Sequence, residues 1–240
     1  MRIQLFVPCL VDQAAPATAR ATLKILERLG HDVRFDRRQT CCGQALFNAG
    51  FRPEARSLAE KFIALFSSAD AVVAPSGSCV SMVVHHYSEL GLSGSHRDDY
   101  EALRSRVYEL SQFLTLYSPL PDRFSRFPHR VVYHPSCHLT RDLGVHRQPI
   151  DLLARIEGVS LVRADLPVEC CGFGGSFSAK YSRLSERIAD RRAAALATAG
   201  AEVICGGDDS CLSHLRQALR RIDSPVRVLH YARILAGEEL

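Results

Sequence analysis

Nine cysteines, some far apart and some in adjacent pairs, are the residues best equipped for chemistry in this 240-residue chain. A thiolate is a nucleophile, a soft metal ligand or half of a disulfide, and spacing decides which. Nine is odd, and the chain is far longer than the small secreted scaffolds that depend on disulfides. The cysteines also repeat. Phe6-Val-Pro-Cys9-Leu10 answers His134-Pro-Ser-Cys137-His138-Leu139, Thr40-Cys41-Cys42-Gly43 answers Glu169-Cys170-Cys171-Gly172, and Ser76-Gly-Ser-Cys79 answers Asp208-Asp-Ser-Cys211. The gaps agree as well: 31 residues separate Cys9 from Cys41 and 32 separate Cys137 from Cys170. A lone cysteine reads as a core residue, but eight in matched positions of two halves read as ligands of a metal ion or cluster.

Soft thiolates select zinc or iron–sulfur clusters. Structural zinc draws on close pairs such as Cys-x-x-Cys, and this chain has none. Each half instead has adjacent cysteines followed by glycine. Successive side chains tend to diverge, so such pairs suit a polynuclear cluster better than one ion, and a glycine lets backbone approach inorganic sulfide without a Cβ. Zinc in one half stays open. Cys79 and Cys211 fall where helices should begin, where exposed N–H groups favour thiolate. Ser76 and Asp208 then read as helix caps, with oxygen ligation as the alternative. His134 and His138 flank Cys137 and could donate to sulfur or move a proton, against a plain packing role; the first half has apolar residues there. Cys205 has no cysteine counterpart by motif and falls in an expected strand, which makes it a core residue. It also follows Gly172 by the same 32-residue gap that separates Ser76 from Gly43, which would make it an extra ligand. The run Cys171-Gly-Phe-Gly-Gly-Ser176 lacks the spacing of a phosphate loop, and His85-His86 has no i,i+4 partner.

The elements that must position these thiols alternate short β-rich runs with helical periodicity, the pattern of α/β units around a mostly parallel sheet flanked by helices. Strands are expected at 3–7, 32–35 and 71–74, then at 131–133, 160–163, 202–205 and 226–229. Helices are expected at 16–29, with Ala19, Leu23, Leu26 and Leu29 on one face, and at 52–66, with Ala55, Leu58, Phe62 and Leu65 on one face. Others are expected at 150–157, 178–199 and 211–221. The cysteines then follow the carboxyl ends of strands, which converge on one sheet edge where ligands bind. The chain divides into two homologous α/β halves, 1–116 and 129–240, joined by a proline-containing linker at 117–128. A weaker echo relates Val107-Tyr-Glu-Leu110 to Val228-Leu-His-Tyr231.

Composition narrows the classes. The chain is 47% hydrophobic and 23% charged, with 30 Lys+Arg against 26 Asp+Glu, which excludes a disordered polar chain. Its arginines interleave with acids, as a solvated helix face does, so no nucleic-acid footprint is read. Gln4 and Pro8 interrupt the apolar N-terminus, and no run approaches the ~18–20 apolar residues of a membrane span, so a cytoplasmic protein without a transmembrane segment is expected.

Through Val7-Pro-Cys9, Cys41-Cys-Gly-Gln44, Pro75-Ser-Gly-Ser-Cys79, Tyr133-His-Pro-Ser-Cys137, Cys170-Cys-Gly-Phe-Gly-Gly175 and Ser210-Cys211-Leu212, the sequence resembles the lactate utilization protein A group of cysteine-rich CCG-domain proteins. Related domains occur in the iron–sulfur subunit of glycolate oxidase and in the thiol-reducing subunit of heterodisulfide reductase. The resemblance implies an iron–sulfur electron-transfer subunit of a complex oxidising L-lactate, or a related 2-hydroxy acid such as glycolate, with a ferredoxin-like iron–sulfur subunit and a third subunit as partners. It implies [4Fe–4S] clusters, one or two per chain, held by Cys9, Cys41, Cys42 and Cys79 and by Cys137, Cys170, Cys171 and Cys211. Ser76 and Asp208 stand where heterodisulfide reductase has the first cysteine of Cys-x-x-Cys, leaving four thiols per site instead of five. Four suit an ordinary [4Fe–4S] cluster. A non-redox zinc scaffold and a thiol/disulfide oxidoreductase subunit are the alternatives. No nucleophile elbow, catalytic carboxylate pair or dinucleotide fingerprint is present, so the chain reads as an oxidoreductase subunit that is incomplete alone.

Overall fold

The computed structural model describes residues 1–162 and 169–239, so the expected strand end at Arg163 lies outside the described residues. The chain builds one α/β unit twice. The first copy runs β1 (Arg2–Leu5), α1 (Cys9–Ala14), α2 (Pro16–Arg28), β2 (Asp32–Arg34), α3 (Gln44–Ala49), α4 (Arg52–Phe66), β3 (Ala71–Ala74), α5 (Gly77–Ser81), α6 (Ser95–Arg104), β4 (Val107–Glu109) and α7 (Leu110–Tyr117). The second runs β5 (Arg130–Tyr133), α8 (Gln148–Leu153), β6 (Ser160–Val162), α9 (Ser176–Lys180), α10 (Ser182–Ala197), β7 (Val203–Gly206), α11 (Asp209–Arg221), β8 (Arg227–His230) and α12 (Tyr231–Leu235). Each copy forms a four-stranded, wholly parallel sheet, ordered β2-β1-β3-β4 and β6-β5-β7-β8.

The registers coincide. Ile3 pairs with Ala71 as Val131 pairs with Val203, and Leu5 pairs with Val73 as Tyr133 pairs with Cys205. The counterpart of Cys205 is therefore Val73, a core position.

Both faces of each sheet are covered, as a parallel sheet requires. Along β3, Ala71 and Val73 enter a core shared by the two copies, while Val72 and Ala74 enter a core private to the first. Along β7, Val203 and Cys205 enter the shared core and Ile204 a private one. The shared core is a helix layer between the sheets, where α2 packs on α12 and α7 on α8. The joining segment contributes Leu120, Phe124 and Phe127 to it, so it is packed against both copies.

The helix faces differ from the expected ones. On α2 the buried residues are Thr18, Ala21, Thr22, Ile25 and Leu26, with Ala19, Leu23 and Leu29 only half-buried. On α4 they are Ala55, Ala59, Phe62, Ile63 and Phe66. Small residues share the buried stripe with Ile25, Leu26, Ile63 and Phe66, and the stripe is rotated from the expected one toward Ala21, Thr22, Ala59 and Ile63. The expected helix at 178–199 breaks at Tyr181 into α9 and α10, matching the break at Phe51 between α3 and α4. Among the described residues no helix is long and apolar enough to cross a membrane.

Candidate metal centre

In each sheet the chain leaves the first strand toward one edge and returns on its other side, so a crevice opens at the carboxyl ends of β1 and β3, and of β5 and β7. Cys9 opens α1 just beyond β1, and Cys79 lies in α5 just beyond β3. Cys211 lies in the first turn of α11 beyond β7. The two crevices merge: one cavity of about 250 Å³ is lined by all eight matched cysteines, with Ser76, His138 and Asp208 also in its wall. Cys205 is outside that wall, buried in β7, and burial pushes its thiol well up.

Within each half the thiols interact in the order Cys9–Cys41–Cys42–Cys79 and Cys137–Cys170–Cys171–Cys211, each row lining the cavity. A left-handed glycine directly after each adjacent pair curls the chain: φ is 86° at Gly43 and 84° at Gly172. Hydrogen bonds from Cys42 and Cys9, joined by the Gly43 N–H at 3.3 Å, hold the Cys41 pKa down at about 3. Those from Cys137 and Cys171, joined by the Gly172 N–H at 3.3 Å, hold Cys170 at about 2. Cys9, Cys42, Cys137 and Cys171 are pushed up beside that thiolate, with burial adding to the effect. One negative charge thus gathers in each row, and a bound cation would draw out the remaining protons.

The motif glycines also serve the packing of the neighbouring helices. A Cβ on Gly43 would lie 3.3 Å from the Ala55 carbonyl oxygen, and one on Gly172 would lie 2.7 Å from that of Ser185. The missing side chain makes room for α4 and α10 as well as for the turn.

Asp208 caps α11 as expected, accepting from Ser210 N at 3.4 Å and Ser210 Oγ at 2.7 Å. Its second oxygen accepts from Ser78 N at 2.8 Å, so one carboxylate caps α11 and also α5 of the other half. Ser76 does not cap; its Oγ lies 3.4 Å from Ser78 Oγ. Beside this crossing, Gly77 N donates to Gly207 O at 3.3 Å. His138 is fixed by Asp142, 2.6 Å from its Nδ1, and that same carboxylate oxygen accepts from Ser81 Oγ of the first half at 2.7 Å.

His134 stands behind the cavity, buried. A ring nitrogen of His134 and the sulfurs of Cys171 and Cys211 lie within 4.8 Å of one another. Arg192 Nε donates to His134 Nδ1 at 3.4 Å, while Nε2 is buried without a partner among the described residues. Burial holds the His134 pKa at about 3, so the ring is neutral. Nearby, Ser185 Oγ donates to Gly172 O at 2.7 Å and lies 3.0 Å from His214 Nε2. Arg192 and His214 escape motif reading, yet Arg192 leaves a trace: it falls on the buried face of α10 with Ser185, Ala189, Ala193 and Leu196.

The donor set fits a sulfur-ligated group. A tetrahedral zinc, with Zn–S of ~2.3 Å, would hold its four sulfurs about 3.8 Å apart. Among the described residues, His134, Cys171 and Cys211 are the one group of three ligand atoms within 4.8 Å of each other.

A duplicated parallel α/β unit that brings four cysteines to the crevice of each sheet defines a class of cysteine-rich, metal-centre proteins. The chain belongs to the cysteine-rich domain family known as CCG, which it matches at residues 3–84 and 131–216. It is similar to lactate utilization protein A of Halalkalibacterium halodurans, 38% identical over 100% of this chain and 98% of that one. It is similar to the Bacillus pumilus protein of that name at 37%, over 98% and 99%. Among solved structures it is distantly similar to an aspartate racemase homologue from Pyrococcus horikoshii, with 11% identity, 98% and 95% coverage and a TM-score of 0.30.

Proposed function

We propose that this chain is an iron–sulfur electron-transfer subunit for lactate utilization, and that its two cysteine rows hold two [4Fe–4S] clusters side by side. The observation that carries the reading is the single cavity walled by eight thiols, four from each half. Full-length relatives named for lactate utilization supply the substrate. Such clusters supply one-electron chemistry. The chain itself binds and shelters: α3 and α9 pack on each other beside the cavity, and Gly43 and Gly172 donate N–H groups to sulfur. Oxidation of L-lactate to pyruvate then belongs to a complex in the cytoplasm, with a ferredoxin-like subunit and a third subunit as partners.

Anaerobic purification tests this. About eight irons per chain are expected, four per row, with matching sulfide. Cys42→Ser and Cys171→Ser should each remove about half. Stoichiometric zinc without iron would overturn the reading in favour of a scaffold. Iron-loaded protein that L-lactate and the partner subunits cannot reduce would overturn the substrate assignment.

A further inference from the structure

The two cysteine rows have the same backbone but different surroundings. His134 and Phe6 occupy equivalent positions, three residues before Cys137 and Cys9. Ser185 and Ala55 oppose the motif glycines in the same way, which places Arg192 opposite Phe62, each seven residues further along its helix. In the first half the pair is apolar: the rings of Phe6 and Phe62 meet edge to face with centroids 5.0 Å apart. In the second it is an arginine donating to a buried imidazole beside Cys171 and Cys211.

Arginine has no acceptor and stays protonated, so the His134 nitrogen it contacts must be the acceptor, and the ring proton sits on Nε2. That excludes His134 as a ligand, since neither nitrogen has a lone pair to give. It leaves an N–H donor buried without a partner, next to sulfurs. In the first half Phe6 takes the place of that imidazole, and the nearby Tyr87 O–H donates to the Cys42 carbonyl oxygen at 3.0 Å.

We propose that His134, fixed by Arg192, is a positioning residue that makes the second-half centre the easier of the two to reduce. Reduction adds negative charge to a thiolate-ligated group. A buried, unpartnered N–H on a ring beside its ligands and a nearby guanidinium stabilise that charge where water is excluded, and phenyl rings do not. The second half is thus the acceptor side of the pair. This rests on both rows holding iron–sulfur clusters.

The test is a redox titration of the anaerobic full chain followed by electron paramagnetic resonance, after iron has been counted. Two waves are expected, the higher one being that abolished by Cys171→Ser. His134→Leu should move that wave at least tenfold toward the oxidised form at fixed potential, which is about 59 mV for one electron, and leave the other wave in place. Arg192→Met should act in the same direction. His134→Gln, which keeps an N–H near Nε2, should retain most of the wild-type position. A single wave in the wild type, equal shifts in the Leu and Gln variants, or a His134→Leu effect on both waves or neither would overturn the proposal. Absence of iron would overturn the functional reading beneath it, and is read before any titration. Unchanged iron content in the His134 variants separates tuning from misfolding.

Discussion

In the first half Cys42 and Cys79 pack in a core with Phe6, Phe62 and Tyr87, whereas in the second their counterparts Cys171 and Cys211 adjoin His134, and Ser185 and His214 lie close by. Strand order, register and the positions of the four thiols coincide nonetheless. The difference teaches that the parallel sheet alone suffices to gather the ligands. What surrounds them can diverge without moving them, and that is where two copies of one site acquire different properties.

The largest test of this contrast lies at the caps that follow the last strand of each sheet. Glu109 caps α7 and His230 caps α12. Burial raises the Glu109 carboxyl to about 7, although Ser111 and Tyr231 donate to it. Burial lowers His230. A raised acid favours folding below its unfolded pKa and loses that contribution as pH climbs through 7; a lowered histidine favours folding above its unfolded pKa and loses it as pH falls. The two caps therefore give slopes of opposite sign in the acid-to-neutral range. From Glu109 we expect a loss of about 3 kcal/mol between about pH 4 and pH 8. Glu109→Gln should remove that falling slope in denaturant titrations and leave the rise contributed by His230. A slope unchanged in the variant would remove Glu109 from the account.

Next come the motif glycines. Both have positive φ, but the Cβ of Gly172→Ala would meet backbone at 2.7 Å and that of Gly43→Ala at 3.3 Å. We expect stability losses of about 2–3 kcal/mol and about 1–2 kcal/mol respectively. Equal losses would show that α10 yields as readily as α4. The smallest contrast is at the helix starts: Asp208→Ala should cost about 1–2 kcal/mol and Ser76→Ala less than about 0.5 kcal/mol, because only Asp208 caps.

Much of the fold was legible because it is written twice. The matched motifs located the ligand loops and the central strands of both sheets, and 52–66 and 71–74 emerged as α4 and β3. Strand β4 was visible only as an echo of β8, too short to stand on periodicity. The break at Tyr181 was hidden because no glycine or proline marks it, whereas Gly50, with φ 90°, marks its partner. The curl after each adjacent pair was hidden because it depends on the sign of one glycine φ. Merging of the two crevices was hidden for another reason: repeats report that the halves are alike, not how they face each other. The crossing of Asp208 to Ser78 and the docking of α2 on α12 are contacts between halves that no motif encodes.

Cys205 has its own consequence. It pairs with Tyr133 and Leu229 in the sheet, is fully buried, and sits in the core to which both copies contribute. Cys9 and Cys170 are exposed to an alkylating reagent at the cavity mouth, but reaching the ninth thiol requires prising the two copies apart. Thiol counting by mass against denaturant thus gives the chain an internal clock. Early adducts report the open edge of a folded protein, and modification of Cys205 reports global unfolding.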